Sequence, residues 1–415
     1  MARPGSIPRP SLSAVGAALL LSVPSAAQVA DVQLRGNFFY EPSATSHVTV
    51  LNPTLDASAQ PVEGVRVRAG YEADIVSGAS EAVKAGRLTS VDVVSSATSF
   101  HDTRQVASGG VTLARESTEL SATYAYGTES DYRSHSIAVS AKTSFLQRNT
   151  ELSLGYARGF DQVCTSAFAT AIAPSARIAL DSSKGCFTKA ENRASRDVDL
   201  DTLRAGWTQA WSPIWSTQLV ATFALQHGFL ANPYRSVVIA PAGDVALENH
   251  PENRARAALT LRSRWYLRGP KLAVGASIHL YRDTWDIDAQ SYELEAERYL
   301  FSALRVAVRA RYYHQGAALF FSDDYTGGEP ADGPRGQYWS GDRELSRLSN
   351  YGLGARIAYA RRAEPNTRIL GILKGVSASL GVDALKTHLS GFTWAGVEPD
   401  DTLALLASLA LGSEF

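Results

Sequence analysis

Two short segments of the chain carry acids and hydroxyls in the same order. The first is DIVSGAS, from Asp74 to Ser80, and the second is DVVSSAT, from Asp92 to Thr98. One such segment is ordinary turn chemistry, because Asp, Ser and Gly favour turns and hydroxyl side chains cap nearby backbone groups. Two copies in one order are harder to explain by turns alone.

The two segments resemble the target site of periplasmic FMN transferases, written D-x-x-[ST]-G-A-[ST]. Those enzymes join FMN through its phosphate to the final hydroxyl. The first copy matches throughout, and the second has Ser96 where the pattern has glycine, which narrows the approach to its acceptor. The resemblance implies covalent FMN on Ser80 or Thr98, with a periplasmic FMN transferase and redox proteins as partners. The positions it assigns to the cofactor are Asp74, Ser77, Gly78, Ala79, Ser80, Asp92, Ser95, Ala97 and Thr98.

The start of the chain has the organisation of a secretory signal peptide. Arg3 and Arg9 precede the apolar run AVGAALLLSV, and the small residues Ser25 and Ala27 precede an expected cleavage before Gln28. The apolar run is shorter than the ~20 residues that a membrane-spanning helix needs. The sequence therefore predicts a signal peptide over residues 1–27 and an exported mature chain over residues 28–415.

The composition narrows the class of protein. The formal net charge is -1, so no basic surface is offered to nucleic acid. The chain has 17 Tyr and 32 Gly but only 1 Met, which is unlike an ordinary soluble core. A soluble chain of 415 residues usually divides into domains. Because no linker or shift in composition interrupts this one, we expect a single large domain.

Apolar and polar residues alternate along most of the mature chain. In NRARAALTLRSRWYL, from Asn253, one side carries alanines, leucines and Trp265, and the other carries arginines. Opposite an apolar face in lipid, such arginines line a lumen. About 16 segments of this kind follow one another, an even number typical of bacterial barrels. The sequence predicts an all-β fold, a transmembrane antiparallel β-barrel with long outer loops.

Connection lengths support the same topology. Tight turns such as AEPN, residues 363–366, alternate with long connections that all follow strands running in one direction. The last segment, TLALLASLALGSEF, alternates up to the terminal Phe415. Such an ending looks like the assembly signal of Gram-negative outer-membrane barrels, so outer-membrane lipids and the barrel-assembly machinery are expected partners. The long connections are expected near residues 77–104, 162–196, 230–252, 316–346 and 388–401.

Charges on the expected lumen face follow an ordered pattern. A turn near Leu300 is expected to place Glu295 opposite Arg305, and opposed charges on neighbouring strands stabilise a sheet modestly. Two interpretations remain open: a ladder that stiffens the wall and polarises a pore, or a pathway for anions. The residues expected to line the lumen are Arg254, Arg256, Arg262, Arg264, Glu293, Glu295, Glu297, Arg305, Arg309, Arg311 and Arg356.

The two cysteines, Cys164 and Cys186, both lie in the expected outer loop 162–196. In an exported protein this arrangement predicts a disulfide. A redox-active pair would more often have C-x-x-C spacing, and the wide spacing without clustered histidines argues against zinc. No nucleophile motif is recognisable, and His101 and His250 are expected to be solvated loop or rim residues. The sequence predicts neither a catalytic residue nor a metal site.

The mature chain also resembles an uncharacterised family of Gram-negative outer-membrane barrels, domain of unknown function 3570. The resemblance rests on DIVSGAS, VDVVSSAT, DYRSHS from Asp131, NPYRSV from Asn232 and HPENRAR from His250. It implies a barrel in the outer membrane. Together with the FMN motif, it favours a barrel that serves an extracytoplasmic redox system. The alternatives are a passive channel with an Arg/Glu-lined lumen and a structural scaffold.

Overall fold

The structure is a computed structural model. It describes residues 29–42, 47–78, 93–94, 100–166, 180, 186–187, 193–331, 333–364, 367–393 and 396–415. Within strands, the side chains of Val29, 76–78, 93–94, 100–102, Ser166 and Arg193 are not described. The predicted signal peptide lies outside the described residues, as do the predicted flavin acceptors Ser80 and Thr98.

Sixteen strands close into one antiparallel barrel, which confirms the predicted fold class and strand number. Each strand pairs with its neighbours in the chain order of the barrel, and β1 pairs with β19 to close the ring. The barrel strands are β1 (Val29–Pro42), β2 (His47–Val62), β3 (Val65–Gly78), β5 (Phe100–Arg115), β6 (Thr118–Thr128), β7 (Tyr132–Phe145), β8 (Thr150–Ser166), β9 (Arg193–Ser212), β10 (Trp215–Gly228), β13 (Asn253–Leu267), β14 (Leu272–Asp283), β15 (Asp288–Tyr299), β16 (Leu304–Gln315), β17 (Leu348–Arg362), β18 (Gly375–His388) and β19 (Thr402–Glu414).

Three further strands lie outside the barrel wall. They are β4 (Val93–Val94), β11 (Ser236–Ile239) and β12 (Asp244–Leu247), which form a small sheet in the order β12–β11–β4. A short 3-10 helix, Arg343–Leu345, precedes β17. No helix among the described residues has the length and apolar character needed to cross a membrane.

The outer wall of the barrel is apolar. Alternate residues along the strands expose large aliphatic and aromatic side chains, among them Leu294 (62% exposed), Val308 (60%) and Leu353 (69%). Exposing so extensive an apolar surface to water is unfavourable, whereas the acyl chains of a bilayer would cover it. The opposite face of the same strands carries the charged and hydroxylic residues. The chain is therefore a transmembrane β-barrel with a polar lumen.

The long connections lie at one end of the barrel, which we call the outer end, and both termini of the barrel strands lie at the other. Several strand limits differ from the predicted ones. β3 continues to Gly78 and β5 begins at Phe100, so the first long connection is shorter than predicted. β18 begins at Gly375, after a longer connection than the predicted turn 363–366. There the apolar run ILGIL imitates a strand, but the left-handed φ angles of Leu370 and Gly371 turn the chain back instead.

Candidate functional site

The lumen wall from β13 to β18 carries a connected set of ion pairs. Arg264 contacts Glu295 at 3.1 Å, Arg305 contacts Glu297 at 3.3 Å, and Arg356 contacts Glu297 at 3.1 Å and Glu295 at 3.8 Å. These side chains come from four different strands. They lie on the face opposite the exposed aliphatic residues, so the charges face the lumen on this side of the wall. The ladder ties neighbouring strands together and leaves both signs of charge on the wall.

The pairing between β15 and β16 differs from the predicted register. Glu295 lies opposite Arg309 and not opposite Arg305, which pairs with Tyr299. The turn occupies residues 300–303, so its centre lies later in the chain than the predicted turn near Leu300. The shift is an even number of residues, and every charged side chain therefore keeps the predicted face.

Arg309 forms its ion pair across an intervening strand. Its Nε and Nη2 donate to the two carboxylate oxygens of Asp383 at 2.7 and 2.6 Å. The strand between them, β17, has Gly354 at the crossing point, where an added Cβ would lie 1.8 Å from Asp383 Oδ1. The glycine leaves the space through which a two-point Arg–carboxylate contact can form.

At the outer end of β13 and β14, Arg254 is held more tightly than the other lumen arginines. Its guanidinium donates to the buried carboxylate of Asp283 and lies 3.9 Å from the ring centroid of Trp285. Asp283 also accepts the backbone N–H groups of Trp285 and Ile287. Because both carboxylate oxygens of Asp283 are engaged in this way, the cluster anchors the loop between β14 and β15.

Two long loops fold together at the outer end. We call residues 229–252 and 316–347 the mouth assembly. Its core contains Val237, Ile239, Ala246, Tyr325 and Trp339, all almost completely buried. A second cluster joins Ala318 and Phe320 to Trp285 and Ile287. Such burial is the property of a folded unit, whereas exposed loops ordinarily carry few buried apolar side chains.

The mouth assembly is rooted on one side of the ring but contacts the other side. Its two loops leave the wall between β10 and β13 and between β16 and β17. Arg343 contacts Glu41 on β1, three strands from β17, at 3.2 Å, and β11 pairs with β4 in the connection between β3 and β5, on the opposite side of the ring. Tyr234 donates its hydroxyl hydrogen bond to Asp131, between β6 and β7. Loops that reach these points must cross the mouth of the barrel.

A charged network lies at the centre of the mouth assembly. Glu248 is fully buried, and its Oε1 accepts from the Ser340 hydroxyl and the Gly341 N–H at 3.0 Å each. Burial alone would raise the pKa of Glu248, but His250, Arg235 and Ser340 outweigh burial and lower it below its ordinary value. Arg235 forms an ion pair with Asp342 in the second loop. The network thus joins the two loops.

His250 corrects a prediction. The sequence places it on a solvated rim, but its side chain is buried and packs against the rings of Trp285 and Phe320. Its Nε2 lies 3.3 Å from Glu248 Oε2, an electrostatic contact without good hydrogen-bond direction. The side chain of His101 is not described. No local pattern predicts this role, because the rings that pack on His250 belong to Trp285 and Phe320, which lie 35 and 70 residues later in the chain.

Cys164 and Cys186 form a disulfide. Cys164 lies on β8, which extends to Ser166, and not in the loop itself. The disulfide packs with Leu180, Phe187 and Tyr234, the last of which belongs to the mouth assembly. The bond therefore fastens the connection between β8 and β9 to β8, and packing against Tyr234 joins this region to the assembly.

The repeated segments are placed only in part. Asp74 accepts a hydrogen bond from Asn52 at 2.6 Å on the lumen face of β3, and the backbone of Ser77 and Gly78 continues that strand. Val93 and Val94, inside the second copy, form β4. The remaining predicted flavin positions, Ala79, Ser80, Asp92, Ser95, Ala97 and Thr98, lie outside the described residues.

The predicted lumen residues share one face of the wall, but not all of them are paired. Among the described residues, Arg256, Arg262, Glu293 and Arg311 have no ion-pair partner within 4.0 Å. No group of three or more His, Cys, Asp or Glu side chains in the described part of the chain could hold a metal ion. Sequence reasoning missed Asp383, Glu248, Arg235 and Asp342, which lie in or across elements whose pairing no local pattern reveals.

Fold and site together define a transmembrane β-barrel with a charged lumen beneath a folded mouth. The chain belongs to the family of proteins of unknown function DUF3570, which it matches over residues 14–364. Comparison with curated proteins finds no match.

Several solved barrels are similar in structure. A bacterial polysaccharide outer-membrane secretin has 11% identity and a TM-score of 0.48, with 92% of this chain and 97% of that chain covered. OpdQ of Pseudomonas aeruginosa has 9% identity and a TM-score of 0.41, with 93% and 98% covered. OccK7 (OpdD) of the same organism has 12% identity and a TM-score of 0.42, with 93% and 98% covered.

Proposed function

We propose that this protein is a channel in the outer membrane of a Gram-negative bacterium, and that its own loops close the outer mouth. The barrel-assembly machinery would insert it, and membrane lipids would cover its apolar wall. The charged lumen suits passage of small polar solutes. Solutes would pass when the mouth assembly moves away from the wall, so the protein would act as a gated pore and not as an enzyme.

One observation carries the proposal: the mouth assembly extends across the ring, where β11 pairs with β4 on the opposite side from the roots of the two loops. The ion pair between Arg343 and Glu41 also fixes the assembly to β1, three strands from β17. Both side chains of this pair are about one-fifth exposed. This partly buried ion pair ties the second loop of the assembly to the wall, and its loss would loosen that attachment.

Conductance through planar bilayers tests the proposal. The wild-type barrel is expected to open rarely, and Arg343→Gln to raise the fraction of time spent open at least several-fold. Lys142→Gln is the matched control, because Lys142 forms lumen ion pairs with Glu119 and Glu151 far from the mouth assembly. Failure of wild type, Arg343→Gln and the double variant Arg235→Gln/Arg343→Gln to conduct would overturn the channel.

We propose as a second function that the chain carries covalent FMN on Ser80 or Thr98 and serves extracytoplasmic redox proteins. Support comes from the repeated motif and from the position of β4, which belongs to the second copy and pairs with β11 of the mouth assembly. A flavin held there would lie close to the mouth. The flavin would supply the electron chemistry.

Peptide mass spectrometry tests the flavin directly. Material from a host that contains a periplasmic FMN transferase is expected to carry one FMN phosphoester on a peptide with Ser80 or Thr98. The variants Ser80→Ala and Thr98→Ala should locate the acceptor. Fully unmodified peptides from such a host would remove this function and leave the channel untouched.

A further inference from the structure

A cavity of about 320 Å³ lies where the mouth assembly meets the lumen wall. The wall side is formed by β16, β17, β18, β19 and β1, and the mouth side by the 3-10 helix. This volume is at the lower end of the range for small-molecule sites, about 300–1,000 Å³. The cavity therefore has room for a small molecule and lies on the path between the lumen and the mouth.

The lining combines apolar and polar groups. Leu348, Leu385 and Leu389 supply an apolar side. Two polar groups are already engaged, since Asn350 donates to Thr387 Oγ1 at 2.7 Å and the Tyr313 hydroxyl donates to Gln315 at 2.6 Å. These contacts leave few polar side chains in the cavity with unused hydrogen-bonding capacity.

The cavity is also lined by four charged side chains, Arg343, Glu41, Glu344 and Arg311. Arg343 and Glu41 pair with each other. Glu344 has no ion-pair partner within 4.0 Å among the described residues, but it lies near Arg235, whose pKa is raised although burial opposes the shift, because Asp342, Glu248 and Glu344 surround it. Arg311 differs, since no carboxylate of the described residues lies within 4.0 Å of its guanidinium; Glu293, its register partner on β15, is farther away. Arg311 thus offers donors to the cavity that the described residues do not neutralise.

We propose that this cavity binds a small monocarboxylate with an apolar body. The carboxylate would accept two hydrogen bonds from the planar guanidinium of Arg311, the geometry that arginine favours for such anions. The apolar body would lie against Leu385 and Leu389. The inference deepens the proposed channel by naming the class of solute, and it rests on that function only for its biological meaning, since binding can be measured without conduction.

Calorimetric titration of the purified full chain in detergent micelles tests the site. Benzoate is the probe, and benzyl alcohol, similar in size but uncharged, is the matched ligand control. Wild type is expected to bind benzoate at least tenfold more tightly than benzyl alcohol. Arg311→Gln should weaken benzoate at least tenfold, because a charge-assisted two-point contact is lost. Leu385→Asn should weaken it several-fold while leaving the charge in place.

Arg262→Gln is the matched protein control. Arg262 lies on the lumen face without an ion pair among the described residues, but it does not line the cavity. Arg262→Gln should bind benzoate as tightly as wild type does. Equal affinity of wild type and Arg311→Gln, or no binding to wild type, would overturn the site. Binding without conductance would remove the channel and keep the site, and conductance without binding would do the reverse.

Discussion

Gly354 shows how one missing side chain organises the lumen. Arg309 reaches Asp383 only by crossing β17 at this glycine, where a Cβ would clash with the carboxylate. We predict that Gly354→Ala separates the pair and destabilises the barrel by about 1–3 kcal/mol, the usual cost of overpacking. Urea-dependent loss of the compact gel mobility of the folded barrel measures the change.

The control for this prediction is Gly36→Ala. No atom lies within 4 Å of a Cβ added at Gly36, so the variant should differ from wild type by no more than about 0.5 kcal/mol. Equal losses in the two variants would mean that the alanine acts through the strand backbone. The loss of stability would then not be due to the Arg309–Asp383 contact.

Glu248 gives the mouth assembly an acid-sensitive centre. Its folded-state pKa is lowered, so its stabilising contribution is complete above the ordinary glutamate pKa of about 4.5 and is lost as pH falls through the lowered value. We predict that proteolysis within residues 316–347 rises in wild type as pH falls below the ordinary pKa of glutamate. Limited digestion with an acid-active protease, followed by mass spectrometry, measures it.

Glu248→Gln should make this loop cleavable even at neutral pH, because the buried Arg235 would lose one of the carboxylates around it, and Ser340 and Gly341 would lose a charged acceptor. Removing one member of a buried pair costs on the order of 3 kcal/mol. Glu252→Gln is the control, since Glu252 pairs with Arg196 and is half exposed. A neutral-pH digestion pattern shared by wild type and Glu248→Gln would show that the network does not hold the loops.

At the scale of elements, the disulfide joins β8 to a connection that packs on the mouth assembly. Closing a loop with a sequence separation of 22 residues stabilises by roughly 3 kcal/mol in the chain-entropy description. We predict that Cys164→Ser/Cys186→Ser speeds protease cleavage between residues 167 and 192 at least tenfold while the barrel strands stay intact. Reduced wild type should match the double variant; if it resists cleavage, packing rather than the bond protects the segment.

Most of the strands could be predicted because a barrel wall imposes period-two alternation on each of them separately. Lipid selects one face and water the other, so the signal is local. The prediction of a strand at ILGIL, residues 369–373, was wrong because this run is apolar without alternation. Such a run fits a strand or an exposed turn equally well. The predicted register between β15 and β16 was wrong because register depends on the length of the turn, and one misplaced turn shifts every pair.

The candidate site was less predictable than the wall. The predicted lumen arginines and glutamates share a face, because facing follows from alternation. Alternation does not predict the partners of the charged residues: Asp383 is 74 residues from Arg309, and Ser340 is 92 residues from Glu248. Loop residues carry no periodic signal, and the packing of two loops into one unit depends on contacts between distant parts of the chain. The mouth assembly therefore lay beyond sequence reasoning.

For the whole molecule, the decisive question is which face of the wall meets lipid. Val139 and Ser140 are neighbours on β7. Val139 is half exposed on the apolar face, and Ser140 lies on the lumen face, where it is paired with Gly155 of β8. A charged residue on the lipid face costs about 2–4 kcal/mol at the bilayer midplane, whereas lumen positions tolerate charge. We predict that Val139→Arg lowers barrel stability by that amount and that Ser140→Arg leaves it nearly unchanged.

Refolding into lipid vesicles with urea titration measures both variants under one condition. The pair is closely matched, because the same side chain is added to the same strand one residue apart. The added arginine at position 140 has room, since its cross-strand neighbour is a glycine. If Ser140→Arg were the more costly variant, the charged face would be the one in lipid. The lumen, the mouth assembly above it and the solute cavity between them would then all be wrongly assigned.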